Sequence, residues 1–368
     1  MKLKKVIPTT KTANKSTSQS STDARPSVLG SPAYLSTGSM LLNLALSDDI
    51  TGGYSLGKLV NIVGDSSSGK SLLSLNAFAE ANSNKAFDDY EFIYDDVENA
   101  CEFDIEKLFG KKTANRIKSD YKSNTIQQFY GYILKLLADG KPFIYVLDSF
   151  DSLTTKEEQE RAKAYEKAIR DNKELDEKGS YKVEKARYIS EILRVIKERL
   201  KESNSLLIII SQTRQNIGVT FGFKKTRSGG DALHFYSTHE FWLAISGHEK
   251  DTKQATKDIE VGVEVMLSVR KNKLTGKRRK IEFTIYYDYG IDDIGSTVDW
   301  LLENQFIAKT KQTISIPGLD IEGVRDNVIK MLEEKEDSWA ENIFKKFVQE
   351  CWDKKEDSVK LNRKPRYE

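Results

Sequence analysis

The sequence predicts an α/β fold: a mostly parallel central sheet, extended by antiparallel strands and followed by a small C-terminal helical domain. Three observations carry this. Short, continuous apolar runs alternate with longer amphipathic stretches through the first part of the chain. The pattern then switches to consecutive strand-like segments joined by turns and charge clusters. A glycine-rich turn, "GDSSSGKS", sits between one strand and one helix.

The runs "KLVNIVG" (58–64), "EFIYD" (91–95), "PFIYVLD" (142–148) and "SLLIIIS" (205–211) have the Ile, Val and aromatic content of strands buried on both faces. Helices between such strands imply parallel pairing. The clearest helix is "RYISEILRVIKERLKESN" (187–204), where Ile189, Ile192, Leu193, Ile196 and Leu200 share one face, the spacing of an amphipathic helix. After Glu240, "EFWLAI", "GVEVMLSVRKNK" and "KIEFTIYYD" read as antiparallel strands added to the sheet. From Ile291 onward, "STVDWLLENQFI" and "VRDNVIKMLEE" read as helices, with Trp300 and Trp352 as core residues.

These elements divide the chain. Residues 1–34 form a basic, Ser/Thr-rich arm expected to be disordered; a transit peptide is the alternative, weakened by the lack of an amphipathic period. Residues 35–290 form the core, 291–351 the small C-terminal domain and 352–368 a basic tail ending "KLNRKPRYE". Between Lys156 and Lys178, 15 of 23 residues are charged, so that stretch is an exposed helix or disordered and not core. The net charge of +2 hides uneven placement, and local basic runs can still serve phosphate contacts. Two distant cysteines, Cys101 and Cys351, make no disulfide framework and point to a reducing compartment. No apolar run approaches the roughly 20 residues of a membrane-spanning helix.

"GDSSSGKS" comprises Gly64, Asp65, Ser66, Ser67, Ser68, Gly69, Lys70 and Ser71, and matches G-x-x-x-x-G-K-[ST]. Here it follows a strand and precedes the helical "LLSLNAFAEAN", the context this motif requires. Glycines let backbone N–H groups turn inward around phosphates, Lys70 neutralises β/γ oxygens of ATP, and the Ser71 hydroxyl ligates Mg²⁺. Position 72, just past the motif, is weighed as a further serine hydroxyl beside Ser71 and given no role. Asp148 ends one apolar strand, the place for an acid that holds the metal's hydration shell. Asp95, Asp96 and Glu98 follow another; a carboxylate there can polarise an attacking water, or simply cap a helix. Gln212 ends a third strand, where an amide can touch the γ-phosphate without repulsion.

In order and spacing these motifs resemble the RecA-type homologous recombinases, including those of large phages. "LSTGSMLLNLAL" (35–46), the Walker A turn, "DVENA" (96–100), "LDS" (147–149), "ARYISEILR" (186–194), "SQTRQNIGVTFGFKKTRSGGDALHFYS" (211–237) and "VRKNK" (269–273) match in series, over about seven-tenths of the chain. The resemblance implies a RecA-like P-loop NTPase core that uses ATP and Mg²⁺. It makes Glu98 the general base, Asp148 the metal-associated acid and Lys70 and Ser71 the nucleotide ligands. Gln212 would couple the γ-phosphate to a DNA-binding loop over 217–236, and a second loop would lie near 155–183. Lys271 and Lys273 would reach a neighbouring subunit's ATP, with Phe235 as the interface aromatic. Arg187, Ser190, Arg194 and Arg214 would meet DNA. The partners implied are single-stranded DNA, homologous duplex DNA, further copies of the chain in a helical filament, and mediator or single-strand-binding proteins. The location implied is bacterial or phage-infected host cytoplasm.

The loop has the physics that such a role needs. Lys224, Lys225 and Arg227 can neutralise phosphates on any sequence. Gly218, Gly222, Gly229 and Gly230 let the main chain approach a strand. Ile217, Val219 and Phe221 can wedge between or stack on bases. The chain also departs from the family: the loop is more basic, the charged 156–183 region is longer, and the adenine-stacking aromatic has no motif of its own, with Phe103 as the candidate. An acidic C-terminal brake and a large N-terminal assembly helix are not evident. His234, His239 and Glu240 fit no zinc spacing and read as loop or interface residues. "RKNKLTGKRRK" (270–280), with seven basic residues in eleven, is open to a trans-ATP role, a second duplex site or a solvated hairpin. The reading is an ATP-dependent strand-exchange protein and DNA-dependent ATPase. The rivals are a RecA-fold ring helicase or translocase, and a regulatory RecA paralogue without turnover.

Overall fold

The structure is a computed structural model that describes residues 34–101, 103–172, 181–215, 225–227, 230–251, 258–334 and 339–363. One large sheet organises it. Its strands are Lys58–Gly64 (β1), Glu91–Asp96 (β2), Ile117–Lys118 (β3), Phe143–Asp148 (β4), Leu206–Gln215 (β5), Lys225–Arg227 (β6), His239–Lys250 (β7), Glu260–Asn272 (β8), Lys280–Tyr286 (β9) and Gly290–Asp292 (β10). The order across the sheet is β10-β9-β8-β7-β1-β5-β4-β2-β3, with β6 paired to the end of β5. From β7 to β3 all pairings are parallel; β8, β9 and β10 add on antiparallel. The expected mostly parallel sheet with an antiparallel extension is therefore what forms.

The apolar runs are continuous because both faces of the parallel strands are covered. Val60, Ile62, Ile144, Val146, Ile208 and Ile210 enter one buried cluster. Their alternating neighbours Leu59, Tyr145, Leu147, Leu207 and Ile209 enter a second on the opposite face. Period-two alternation is thus preserved inside runs that show no polar residue. Helices Met40–Ser47 (α1) and Lys70–Ser83 (α2) contribute to the first cluster. Ile126–Asp139 (α3) and Tyr181–Glu202 (α5) contribute to the second, the latter through the predicted stripe Ile189, Ile192, Leu193, Ile196 and Leu200. Between them, the first part of the charged 156–178 stretch is an exposed helix, Lys156–Arg170 (α4), while 173–178 lie outside the described residues. A Thr155–Glu158 capping box starts it, and only Ala168 is buried.

Gly230–Tyr236 (α6), Asp293–Glu303 (α7), Arg325–Glu333 (α8) and Trp339–Ser358 (α9) complete the helices used below. The C-terminal part differs from the expected helices alone. Lys309–Thr310, Thr313–Ile316 and Ile321–Gly323 form a three-stranded antiparallel sheet between α7 and α8. Strands of two to four residues are too short to display a period in sequence. This region also shares its core with the rest: Trp300, Ile314, Val328, Phe344 and Trp352 belong to the same cluster as Val60 and Ile62. Trp300 and Trp352 are buried with ring centroids 5.7 Å apart, as expected of core residues. The boundary at 352 moves, because α9 continues to Ser358. Arg279 stacks on the Trp352 ring at 5.0 Å and pairs with Glu356 at 2.8 Å and with Asp48.

His239 lies at the start of β7 in register with Val60 and Asn272, fully buried, with neither ring nitrogen hydrogen-bonded. Burial pushes its pKa down to about 4. The unfolded chain, with an ordinary imidazole near 6.5, takes up the proton first as pH falls. Stability present above pH 6.5 is therefore lost between there and about pH 4, on the order of 2 kcal/mol of it by pH 5. In thermal unfolding at pH 7 and pH 5, His239→Phe is expected to shrink the difference between the two midpoints. An unchanged difference would show that the imidazole is not held neutral.

Candidate nucleotide site and nucleic-acid interface

The turn Gly64–Ser71 leaves β1 and enters α2. Gly69 has φ +85°, and a Cβ there would stand 2.3 Å from Ile285 Cδ1. At Gly64 a Cβ would stand 2.5 Å from Ser68 Oγ and 2.8 Å from the Leu243 carbonyl oxygen. Both positions therefore require glycine, and the result is a narrow cradle at the positive N-terminus of a 14-residue helix. Lys70 is 7% exposed and its Nζ donates to the Asp65 carbonyl at 2.5 Å, inside that cradle. Burial lowers its pKa, and Asp148, Glu98, Asp65 and Asp151 oppose that shift. Position 72 needs correction as a serine: it is Leu72, which carries no hydroxyl. Its side chain is buried in the same core cluster as Val60 and Ile62, so the cradle's hydroxyls end at Ser71.

Asp148 ends β4, and its Oδ2 accepts from Ser71 Oγ at 2.5 Å and from the Tyr94 hydroxyl at 2.8 Å. Burial raises its pKa, while Ser71 and Tyr94 pull it back. Two hard oxygen donors meet here on adjacent elements. No cluster of three or more His, Cys, Asp or Glu that could hold a metal exists among the described residues. That donor set fits Mg²⁺, which keeps waters and takes phosphate oxygens rather than filling an all-protein cage. Tyr94 was not singled out from sequence, because a tyrosine in an apolar strand reads as core. Asp95 and Asp96 separate. Asp95 is buried on the opposite face, accepting from the Ser123 N–H at 2.8 Å and the Tyr145 hydroxyl at 2.5 Å. Asp96 accepts from the Ala100 and Cys101 N–H groups and closes the turn that carries Glu98.

Sheet order decides what stands between these groups. β5 lies between β1 and β4, with Gln212 in register with Gly64. Gln212 Nε2 donates to Glu98 Oε1 at 2.8 Å, and its backbone N–H donates to Asp151 Oδ2 at 2.7 Å. Thr213 Oγ1 donates to Asp65 Oδ1, tying the strand tip to the phosphate turn. Lys70, Ser71, Asp148, Glu98 and Gln212 thus converge at one end of the parallel strands. Ser149, Ser152 and Asp151 join them without having been assigned roles in sequence; Ser149 closes the "LDS" motif, and the other two had only their proximity to it as a signal.

The basic loop departs from that same tip. β6 pairs with β5 in the register Thr213↔Arg227, Arg214↔Thr226 and Gln215↔Lys225. Lys225 and Arg227 therefore stand at the loop's base, one to three positions from Gln212. Ile217, Gly218, Val219, Phe221, Lys224 and Gly229 lie outside the described residues, and Gly230 opens α6. Arg214 is exposed, 3.5 Å from Asp151. On α5, Arg187 and Arg194 are exposed and Ser190 is half-buried, spaced i, i+3, i+7 on one face. Phe235, at the end of α6, is 67% exposed. Lys271 and Lys273 donate to its carbonyl at 3.0 and 2.9 Å, and the Lys273 ammonium is 5.8 Å from its ring. Within one chain these cations hold the negative end of α6. Phe103 is 44% exposed. Glu240 binds His234 at 3.0 Å and Trp242 at 3.1 Å, while His239 is in the core, so these three gather no metal site.

A strand-turn-helix phosphate cradle, an acid on a strand one removed from it and a parallel sheet with an antiparallel wing define a P-loop NTPase fold. The RecA N-terminal domain model matches residues 31–292. The chain is 32% identical to Protein RecA of Colwellia psychrerythraea over 303 residues, covering 82% of this chain and 79% of that protein. It is 31% identical to Protein RecA of Borreliella burgdorferi over 314 residues, covering 85% and 78%, and 32% identical to that of Acinetobacter baylyi over 300 residues, covering 82% and 78%. The chain belongs to the RecA family.

Proposed function

We propose that this chain is a DNA-dependent ATPase that polymerises on single-stranded DNA and exchanges it with a homologous duplex in recombination and repair. The observation that carries the proposal is the position of Gln212, whose amide bonds Glu98 while its strand runs directly into the basic loop. In this reading Lys70 leaves the Asp65 carbonyl for the β/γ oxygens of ATP. Mg²⁺ held by Ser71 and Asp148 would neutralise charge on the phosphate oxygens. Glu98 accepts a proton from water as the water oxygen bonds to the γ-phosphorus. The bond from that phosphorus to the β–γ bridging oxygen breaks, and its electron pair leaves with ADP. Contact between Gln212 and the γ-phosphate links nucleotide state to the loop. Base pairing supplies specificity, since the loop's cations bind phosphate. Family membership supports a cytoplasmic setting.

Negative-stain microscopy with ATPase assays, with and without single-stranded DNA, tests the reading. Helical filaments and DNA-stimulated turnover support it; closed rings with strand displacement make the chain a motor, and ATP binding without turnover makes it a regulator. Replacing both Lys271 and Lys273 with alanine is expected to cut DNA-stimulated turnover by about 10²-fold while ATP still binds the isolated chain. Full stimulated turnover in that variant would remove the trans role.

A further inference from the structure

We propose that Ser152 is a positioning residue for Glu98, and that Lys185 holds the turn that presents it. The inference rests on the hydrolytic reading above. Glu98 Oε1 accepts three hydrogen bonds, from Ser149 Oγ, from Ser152 Oγ at 3.2 Å and from Gln212 Nε2 at 2.8 Å. Two of these donors come from the short turn that follows β4. With Oε1 held in this way, Oε2 accepts no hydrogen bond among the described residues and is the oxygen left to take a proton from substrate water. A surface glutamate otherwise samples several rotamers, and fixing one of them favours rate over affinity.

The turn is itself clamped. Lys185 Nζ donates to the carbonyls of Asp151 at 3.0 Å and Leu153 at 2.6 Å, on either side of Ser152. Its ammonium stands 4.7 Å from the Phe150 ring centroid, and Phe150 and Leu153 are buried beneath the turn. Asp151 Oδ2 receives the Gln212 backbone N–H at 2.7 Å, so the turn is also fastened to β5. Lys185 lies on α5 two residues before Arg187. The base is therefore tied through one turn to the helix bearing Arg187, Ser190 and Arg194.

The test uses the full chain with Ser152→Ala, Ser152→Thr and Lys185→Met, measured as ATPase at saturating single-stranded DNA and as equilibrium binding of a fluorescent ATP analogue. Ser152→Ala is expected to lower kcat about 3–10-fold with KM and analogue affinity unchanged. The threonine variant, which keeps the donor, restores kcat. Lys185→Met reproduces the kcat loss at unchanged affinity for DNA. A wild-type kcat in Ser152→Ala overturns the proposal, and so does equal loss of analogue affinity in the alanine and threonine variants. Wild-type protein without DNA-stimulated turnover would instead sink the hydrolytic reading itself.

Discussion

Replacing Lys70 with alanine is expected to reduce DNA-stimulated ATP hydrolysis by roughly 10²–10³-fold. Lys70 is the buried cation among Asp65, Glu98, Asp148 and Asp151, all of which raise its pKa against the effect of burial. Among the described residues the group bonds only a carbonyl of its own turn, so it can move onto phosphate without breaking an ion pair there. Its removal leaves the developing charge on the γ-phosphoryl group facing four carboxylates. The loss should appear mainly in kcat, with a smaller weakening of ATP binding, because backbone N–H groups of the cradle remain. Single-turnover hydrolysis alongside equilibrium nucleotide binding separates the two. Hydrolysis at the wild-type rate would show that ATP is not cleaved at this turn.

The parts of this site differ in how readable they were. The phosphate turn was legible because its chemistry requires glycine at fixed places: a Cβ at Gly64 would meet the Leu243 carbonyl, and Gly69 has a φ of +85°. Its far edge is equally sharp, since Leu72 already belongs to the core face of α2. The parallel sheet was legible from runs whose two faces are both covered. The roles of Asp95 and Asp96 were not, since adjacent carboxylates at a strand end look alike until the pleat sends them to opposite faces. Tyr94, Ser152 and Lys185 were hidden for another reason. Each acts through a residue more than 50 positions away, or through backbone carbonyls of a turn, and local pattern carries no such pairing. The small C-terminal sheet was missed because its strands are shorter than the period that would reveal them.

Replacing Lys224, Lys225 and Arg227 together with alanine should weaken single-stranded DNA binding about 50-fold near 0.15 M salt. Each phosphate neutralised on a single strand contributes about 0.7 to the slope of log affinity against log salt, so three cations account for about 2. The β5–β6 ladder fixes Lys225 and Arg227 by backbone pairing beside Gln215 and Thr213, so their loss leaves the loop's base in place. None of the three belongs to the Gly64–Ser71 turn, and ATP affinity without DNA should not move. Fluorescence anisotropy with a labelled oligonucleotide across a salt series reads both the affinity and the slope. A weaker affinity at an unchanged slope would mean that the substitutions disturbed the loop's shape and not its charge. An unchanged affinity would detach the loop from DNA altogether. In that case Gln212 would sit on a strand that leads to no DNA contact, and coupling between nucleotide and nucleic acid would have to run through Arg187, Ser190 and Arg194 on α5.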